Sequence, residues 1–201
     1  WIILFKTILS KLYHWKIYVV GSVEYQYPNH LFQAGYFLDK KYYDENTIDF
    51  KHLLLSEKNQ SLLKDIQNSN SVGVHIRRGD YMTKQNLVIF GNICTQKYYH
   101  DAIRIITEKV NDAVFYVFSD DISWVQTHLD IPNAVYVNWN TGESSIYDMY
   151  LMSSCKYNII ANSTFSYWAA RLNKKTNMVI YPSKWYNTFT PDIFPESWCG
   201  I

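Results

Sequence analysis

Five short apolar runs between residues 71 and 182 constrain the fold of this chain more than any other feature. The runs are rich in β-branched residues and too short for helices. They are SVGVHI (71–76), AVFYVFS (113–119), AVYVN (134–138), YNIIAN (157–162) and NMVIYP (177–182). Strands that alternate with helices of roughly ten to fifteen residues predict βαβ units and a largely parallel sheet covered on both faces. The fold class is therefore predicted to be α/β, with a Rossmann-like domain over residues 71–201.

The segments between these runs have helical spacing. In TQKYYHDAIRIITEKV, Thr95 can cap the helix. Four later residues of that segment recur at four- and three-residue steps on one helical face: Tyr99, Ile103, Ile106 and Val110. DISWVQTHL, SIYDMYLMSSC and STFSYWAARLN supply three further, shorter helices.

The first 70 residues lack this alternation, and we predict that they form a separate N-terminal domain. Gly21, Pro28 and Gly35 mark turns there, and the polar stretch 56–71 is the best candidate for the boundary. The opening 20 residues are apolar, but three lysines interrupt them before the roughly 20 apolar residues that a membrane span needs. They are expected to form an amphipathic segment on a neighbouring surface. The chain begins at Trp1, as a fragment or a processed product would.

Composition excludes several classes of function. A chain of 201 residues with 48% hydrophobic residues can bury a substantial core, and its net charge of +1 provides no overall field for nucleic acid or an anionic membrane. Its three cysteines lack the spacing of a metal site or a disulfide framework, so we expect reduced thiols in a cytoplasmic protein. Because no cluster of ligating side chains stands out, no metal is predicted.

Three polar clusters follow predicted strands, at the sheet edge where parallel α/β domains bind ligands. The first is HIRRGD, in which an arginine pair can bind a diphosphate. The alternative is that Arg77 or Arg78 pairs with Asp80 or another nearby carboxylate. His75 alternates with Val74 and should face the opposite way, towards the same ligand as Arg77 or into the core.

The other two clusters also have a functional and a structural interpretation. Asp120 and Asp121 are candidates for donor binding, but they precede a short helix and at least one is expected to cap it. Ser163 and Thr164 stand at a helix start, where hydroxyls and free N–H groups either bind phosphate or cap the helix. Asp148, within a helix, points either at a base edge or at solvent.

Several common nucleotide sites are disfavoured. The chain has no GxGxxG after its first strand, no GxxxxGK[ST] and no nucleophile elbow. An anion site in this domain would therefore depend on arginines and not on a glycine-rich loop.

The ordered set of motifs resembles the bacterial alpha-1,2-fucosyltransferases of glycosyltransferase family 11. The matching segments are HIRRGDYM, CTQKYYHDAI, FYVFSDDISWV, YDMYLMSSCKYNIIANSTFSYWAARLN and FPESW, preceded by QAGYFLDKKYY. The resemblance implies a two-domain GT-B-like fold and inverting transfer of L-fucose from GDP-fucose to a galactose 2-hydroxyl of a glycan, without an obligatory metal or other cofactor. The family's GNQ loop is absent, so residues 1–70 would be a remnant of the acceptor-side domain.

The resemblance also implies roles for single residues. Arg77 would bind the donor diphosphate and act catalytically, His75 would lie beside the guanine or the phosphate, and Arg78 would support the loop or pair with an aspartate. By similarity to the wider fucosyltransferase superfamily, Asp148 would contact the guanine edge.

In the same comparison, Ser163 and Thr164 would hydrogen-bond the diphosphate. Two alternatives stay open: a GDP-sugar-binding fragment without turnover, and a fucosyltransferase of different linkage, alpha-1,6 or O-linked to a peptide. Peripheral association with a membrane is a further expectation.

Overall fold

The computed structural model describes residues 18–20, 32–34 and 48–201. Contacts divide the chain into two compact units, one of Trp1–Asp44 with Pro191–Ile193 and the other of Glu45–Thr190 with Phe194–Ile201. In the first unit, β1 (Tyr18–Val20) and β2 (Phe32–Ala34) pair in parallel. The lysines of the predicted amphipathic segment and the predicted turns at Gly21, Pro28 and Gly35 lie outside the described residues, as does most of QAGYFLDKKYY.

The second unit contains a six-stranded sheet. Its strands are β3 (Asn70–Ile76), β4 (Ala113–Ser119), β5 (Ala134–Val137), β6 (Tyr157–Ile159), β7 (Met178–Tyr181) and β8 (Cys199–Gly200). Their order across the sheet is β5-β4-β3-β6-β7-β8, and every pair is parallel. The predicted α/β class, the parallel sheet and all five predicted strands are therefore confirmed.

Six α-helices belong to the same unit. They are α1 (Glu57–Asn68), α2 (Lys84–Phe90), α3 (Gln96–Thr107), α4 (Ile122–His128), α5 (Ser145–Ser153) and α6 (Thr164–Arg171). Short 3₁₀ turns precede α2 at Gly79–Met82 and α5 at Gly142–Ser144. None of the described helices combines the length and the hydropathy that a membrane crossing needs.

The helices cover both faces of the sheet. On one face, α3 and α4 pack against side chains of β3 and β4 such as Val74 and Val117. On the other face, α1, α5 and α6 pack against side chains of opposite parity, such as Tyr116 and Phe118. Because successive side chains of a strand point to opposite faces, this arrangement produces two separate cores with the sheet between them.

Helix α1 lies where the sequence suggests a domain boundary. The Ser56 hydroxyl accepts the N–H of Asn59 and caps the helix, and Leu62 and Ile66 are buried against the sheet. The segment is polar because only this one stripe of a surface helix needs to be apolar. The assignment of residues 1–70 to an acceptor-side domain stays a prediction.

The strand order reverses direction beside β3. From β3 the chain runs outward through β4 to β5, and it then returns to the other side of β3 to form β6. Loops at the carboxyl ends of β3 and β6 therefore diverge to opposite faces of the sheet. In open parallel sheets this switch point is where ligands bind.

Candidate functional site

Arg77 and Arg78 directly follow the carboxyl end of β3. Arg77 Nη1 lies 2.8 Å from Asp120 Oδ2, and Arg77 Nη2 lies 2.6 Å from Asp80 Oδ1. Asp120 also accepts the backbone N–H of Arg78 through Oδ1 at 2.9 Å. The carboxylate that follows β4 therefore holds both the backbone and a side chain of the loop that follows β3.

Arg78 has a different environment. Its Nε lies 3.2 Å from Asp121 Oδ2, and its guanidinium lies 3.7 Å above the Trp124 ring. Asp121 Oδ1 also accepts the N–H of Trp124, which confirms the predicted cap of α4. Arg78 is therefore fixed between a carboxylate and an aromatic face. Of its two expected roles, the pair with an aspartate is present in the structure.

Gly79 is needed because Asp120 comes so close. A Cβ at this position would collide with Asp120 Oδ2. Among the described glycines only Gly142 has a positive φ, so Gly79 serves close approach and not a left-handed turn.

Arg77 keeps access to ligand in spite of its ion pairs. Its side chain is 34% exposed, and it lines a cavity of about 230 Å³ together with residues of α2 and α3 such as Leu87, Phe90 and Gln96. Of its two partners, Asp80 is 55% exposed and Asp120 only 27%. The predicted structural alternative, a carboxylate pair, is therefore present, and the guanidinium is still open to one side.

His75 faces away from Val74, as its position in β3 predicts. Val74 belongs to the core under α3 and α4, whereas the His75 ring lies 5.0 Å from the Phe165 ring of α6. Burial, and secondarily the charge of Arg77, lower the pKa of His75 to about 3. Its Nδ1 is buried without a hydrogen-bond partner. The imidazole is thus a neutral group at the switch point with unused hydrogen-bonding capacity.

The loop after β6 completes this edge of the sheet. Asn162 fixes it, since the Asn162 amide donates to the carbonyls of Phe90 and Trp185, and the Asn162 carbonyl accepts from the Tyr81 hydroxyl at 2.9 Å. Ser163 occupies the cap position of α6, yet its hydroxyl makes no capping hydrogen bond. Thr164 begins the helix, so both predicted hydroxyls stand at the helix start.

Asp148 belongs to a second cluster, on the face of α1 and α5. It lies in the first turn of α5 and is buried, and Asn140 Nδ2 donates to its Oδ1 at 2.6 Å. Burial raises the pKa of Asp148 to about 7, against the effect of this hydrogen bond. Of the two alternatives that the sequence leaves open, exposure to solvent is wrong.

The structure thus brings only some of the predicted residues into contact. Arg77, Arg78, Asp120 and Asp121 form one cluster of direct contacts. His75 lies against Phe165 of the helix that Ser163 and Thr164 begin, and Asp148 has separate partners.

Sequence reasoning missed the residues around Asp148, namely Asn59, Trp139 and Asn140. Two signals could have found them: Asn59 shares the helical spacing of Leu62 and Ile66, and the other two closely follow β5.

Within the part of the chain that is described, no group of three or more His, Cys, Asp or Glu side chains could hold a metal ion. The carboxylates of the SDD segment instead face arginines, and Asp121 also caps α4.

Comparisons with known proteins agree on one family. The family model described as glycosyl transferase family 11 matches residues 5–201. An Escherichia coli alpha-1,2-colitosyltransferase is 35% identical over an alignment of 196 positions, and the alignment covers 90% of this chain and 63% of that protein. The E. coli O-antigen biosynthesis glycosyltransferase WbnK is 44% identical over 122 residues, 60% of this chain and 40% of that protein.

A more distant relative comes from an animal. Galactoside alpha-(1,2)-fucosyltransferase 2 of Pongo pygmaeus is 28% identical over an alignment of 163 positions, and the alignment covers 75% of this chain and 48% of that protein. The matches thus span 40 to 63% of the lengths of these three curated relatives. Because the family model covers nearly the whole chain, as the motifs predict, the chain belongs to glycosyltransferase family 11.

Proposed function

We propose that this chain carries the donor-binding part of an inverting alpha-1,2-fucosyltransferase, which transfers L-fucose from GDP-fucose to the 2-hydroxyl of a terminal galactose. The observation that carries the proposal is the open guanidinium of Arg77 at the sheet's switch point, held by Asp120 from the neighbouring strand. GT-B architecture and an acceptor-side domain in residues 1–70 are parts of the same proposal.

The donor diphosphate would take the place of Asp80 on Arg77. A guanidinium can bind two oxygen anions side by side, and here one of its two carboxylate partners is mostly exposed. Release of an exposed surface pair costs little, about 0 to 1 kcal/mol. Asp120, which also holds the loop backbone, would stay in place and keep the guanidinium oriented.

Other groups at this edge suit the same ligand. The free hydroxyl of Ser163 and the first N–H groups of α6 can donate to phosphate oxygens, with Thr164 beside them. The neutral His75 can donate or accept one hydrogen bond without adding charge.

The chemistry assigns Arg77 a catalytic role without proton transfer. As the bond between fucose and the β-phosphate breaks, negative charge grows on the leaving phosphate. A guanidinium already oriented by Asp120 stabilises that charge more than it stabilises the bound ground state, which lowers the barrier.

Asp148 would bind the base. The Watson–Crick edge of guanine presents two adjacent N–H donors, whereas adenine presents an acceptor at the equivalent ring nitrogen. A buried carboxylate that has no cationic partner among residues 48–201 is suited to such neutral donors.

The relatives support the linkage more strongly than the sugar. Two of them are named for alpha-1,2 transfer, but one is named for colitose and the other for fucose on galactose. We therefore expect alpha-1,2 transfer, and a comparison of GDP-fucose with GDP-colitose as donors tests the sugar. NMR analysis of the product linkage tests the alternative of alpha-1,6 or peptide-linked transfer.

The decisive experiment replaces Arg77 by alanine. We expect the loss of GDP binding in calorimetry and of transfer from radiolabelled GDP-fucose, with an unchanged circular dichroism spectrum. Arg104→Ala is the matched control, because Arg104 is an exposed arginine of α3 whose ion pairs among residues 48–201 are with Asp101 of the same helix and with Glu108, its C-cap. Wild-type turnover in Arg77→Ala would overturn the catalytic assignment.

A second candidate function is GDP-sugar binding without turnover. It is favoured by one observation, that the matches cover about half the length of the relatives. Calorimetry that detects GDP binding, together with a transfer assay that detects no product, would favour this candidate. We expect neither a metal nor another cofactor to be required, and a cytoplasmic location, with or without peripheral membrane contact, stays a prediction from composition.

A further inference from the structure

A chain of partly buried hydrogen bonds leads from helix α1 to Asp148. Trp139 Nε1 donates to Asn59 Oδ1 at 2.7 Å, and Asn140 Nδ2 donates to the same oxygen at 3.1 Å. Asn59 Nδ2 donates back to Asn140 Oδ1 at 3.0 Å. Asn140 Nδ2 also donates to Asp148 Oδ1. Asn59 is only 1% exposed, so its side of these bonds is shielded from water, while Trp139 and Asn140 are partly buried.

The indole of Trp139 sets the direction of the whole network. An asparagine side chain can present either its oxygen or its nitrogen to a partner, but an indole N–H only donates. Asn59 must therefore present its oxygen to Trp139, and its nitrogen is left for the oxygen of Asn140. Asn140 in turn must present its nitrogen to Asp148.

This direction leaves one oxygen of Asp148 without a partner. Asn140 is the side chain that hydrogen-bonds the carboxyl group, at Oδ1, and no hydrogen bond among residues 48–201 reaches Oδ2. The carboxyl is thus oriented through Oδ1, and Oδ2 keeps its capacity to accept a hydrogen bond. An inverted Asn140 would present an oxygen to the carboxylate and repel it.

We propose that Asn59 is a positioning residue for base selection: through Asn140 it orients the Asp148 carboxylate so that the second oxygen accepts from a guanine base. This inference rests on the proposed function, because it takes Asp148 as the group that contacts the base. It assigns a site role to α1, a helix that carries none of the family motifs described above.

The test measures base selectivity and not affinity alone. The Kd values of GDP and ADP, measured by calorimetry on the full chain, share the diphosphate contribution and differ only in the base. We expect Asn59→Ala to reduce the preference for GDP over ADP at least tenfold while ADP affinity stays within about twofold. Trp139→Phe keeps an aromatic ring but removes the indole N–H, which can only donate. It should also reduce the preference for GDP over ADP.

A matched control separates positioning from stability. Asn173→Ala also removes a buried asparagine side chain outside this network, one that donates to the Cys155 carbonyl and to Asn158 and accepts the N–H of Lys175. It should lower the melting temperature and leave the ratio of GDP to ADP affinity unchanged. A purely structural role of Asn59 would produce that same result.

The outcomes distinguish the two proposals. If Asp148→Ala abolishes the GDP preference but Asn59→Ala and Trp139→Phe retain it, the positioning role is wrong and the proposed function stands. If Asn59→Ala does not fold, Trp139→Phe decides alone. A wild-type chain that binds GDP no better than ADP overturns the positioning role together with the guanine contact, and loss of both nucleotides in Arg77→Ala would still support the diphosphate site.

Discussion

Arg77 and Asp148 show two ways to hold a charged side chain in this domain. Arg77 is paired with two carboxylates and stays partly exposed, so its charge is balanced before any ligand arrives. Asp148 is buried beside neutral amides, and its charge is therefore costly. The first arrangement favours exchange of one anion for another, and the second favours selection of a neutral base.

The cost of Asp148 should appear in the pH dependence of stability. Its folded pKa, about 7, lies above that of the unfolded chain, so ionisation penalises the folded state increasingly from about pH 4 to pH 7 and fully above pH 7. Asp148→Asn removes the penalty, and we expect it to raise the free energy of unfolding relative to wild type by about 3 to 4 kcal/mol more at pH 8 than at pH 4.

Urea denaturation at the two pH values measures this difference. Asp65→Asn, on the exposed side of α1, is the control and should show no such change. An equal stability difference at both pH values would contradict the prediction. Asp148→Asn should also lose affinity for GDP. The asparagine amide can present an N–H group to the N–H groups of guanine, whereas the carboxylate presents only acceptors.

Gly79 provides a second test at the scale of a residue. The added Cβ of Gly79→Ala would displace Asp120, which would break its contacts with Arg77 and with the backbone of Arg78. We expect GDP affinity in calorimetry to fall at least tenfold, with a small change in melting temperature. Asp120→Ala should have the same effect, and the double variant should add little to either change. Additive losses would show that Gly79 acts by another route.

The helices that contribute to the candidate site are those near the carboxyl edge of the sheet and the polar helix α1. Each of α1, α3 and α4 begins at a side chain that accepts an N–H of its first turn: Ser56, Thr95 and Asp121. The sequence predicts Thr95 as a cap, and it predicts that at least one of Asp120 and Asp121 caps α4. Since α1 brings Asn59 to the second cluster, its first turn contributes to the site as well as to stability.

The cap of α1 can be tested with one substitution at two positions. Ser56→Ala removes the hydroxyl that accepts the N–H of Asn59, and we expect a loss of about 1 kcal/mol in unfolding free energy. Ser61→Ala, at an exposed position within the same helix, should be neutral or stabilising by a few tenths of a kcal/mol, because alanine has the higher helix propensity. Chemical denaturation of both variants provides the comparison; equal effects would contradict the cap.

Across the whole molecule, the sheet separates two cores and brings the ends of β3 and β6 together. Ile159 lies in β6 next to β3 and is fully buried under α3 and α4. The position of the site therefore depends on the packing of the central strands. A large-to-small substitution in a central strand should strongly destabilise the sheet. The same substitution at an exposed position of a surface helix should not.

Ile159→Ala tests this dependence. Loss of a fully buried isoleucine side chain should cost about 2 to 5 kcal/mol, a large part of the total stability of an ordinary domain. Ile89→Ala, at an exposed position of α2, should change stability by less than about 1 kcal/mol. Thermal unfolding of the two variants measures the contrast, and similar midpoints would show that the central sheet does not limit stability.

The sequence by itself determined the α/β class, the strand positions and the loop that carries Arg77 and Arg78, because hydrophobic periodicity and the residues that follow each strand are local properties. The motifs also sufficed to identify the family. Only the tertiary structure decided that Arg77 shares Asp120 with the loop backbone, that Asp148 is buried, and that Asn59 belongs with it. These contacts join residues more than 40 positions apart or depend on the burial of one helix face. The local sequence pattern cannot indicate which distant residue forms the hydrogen bond that a buried polar group needs.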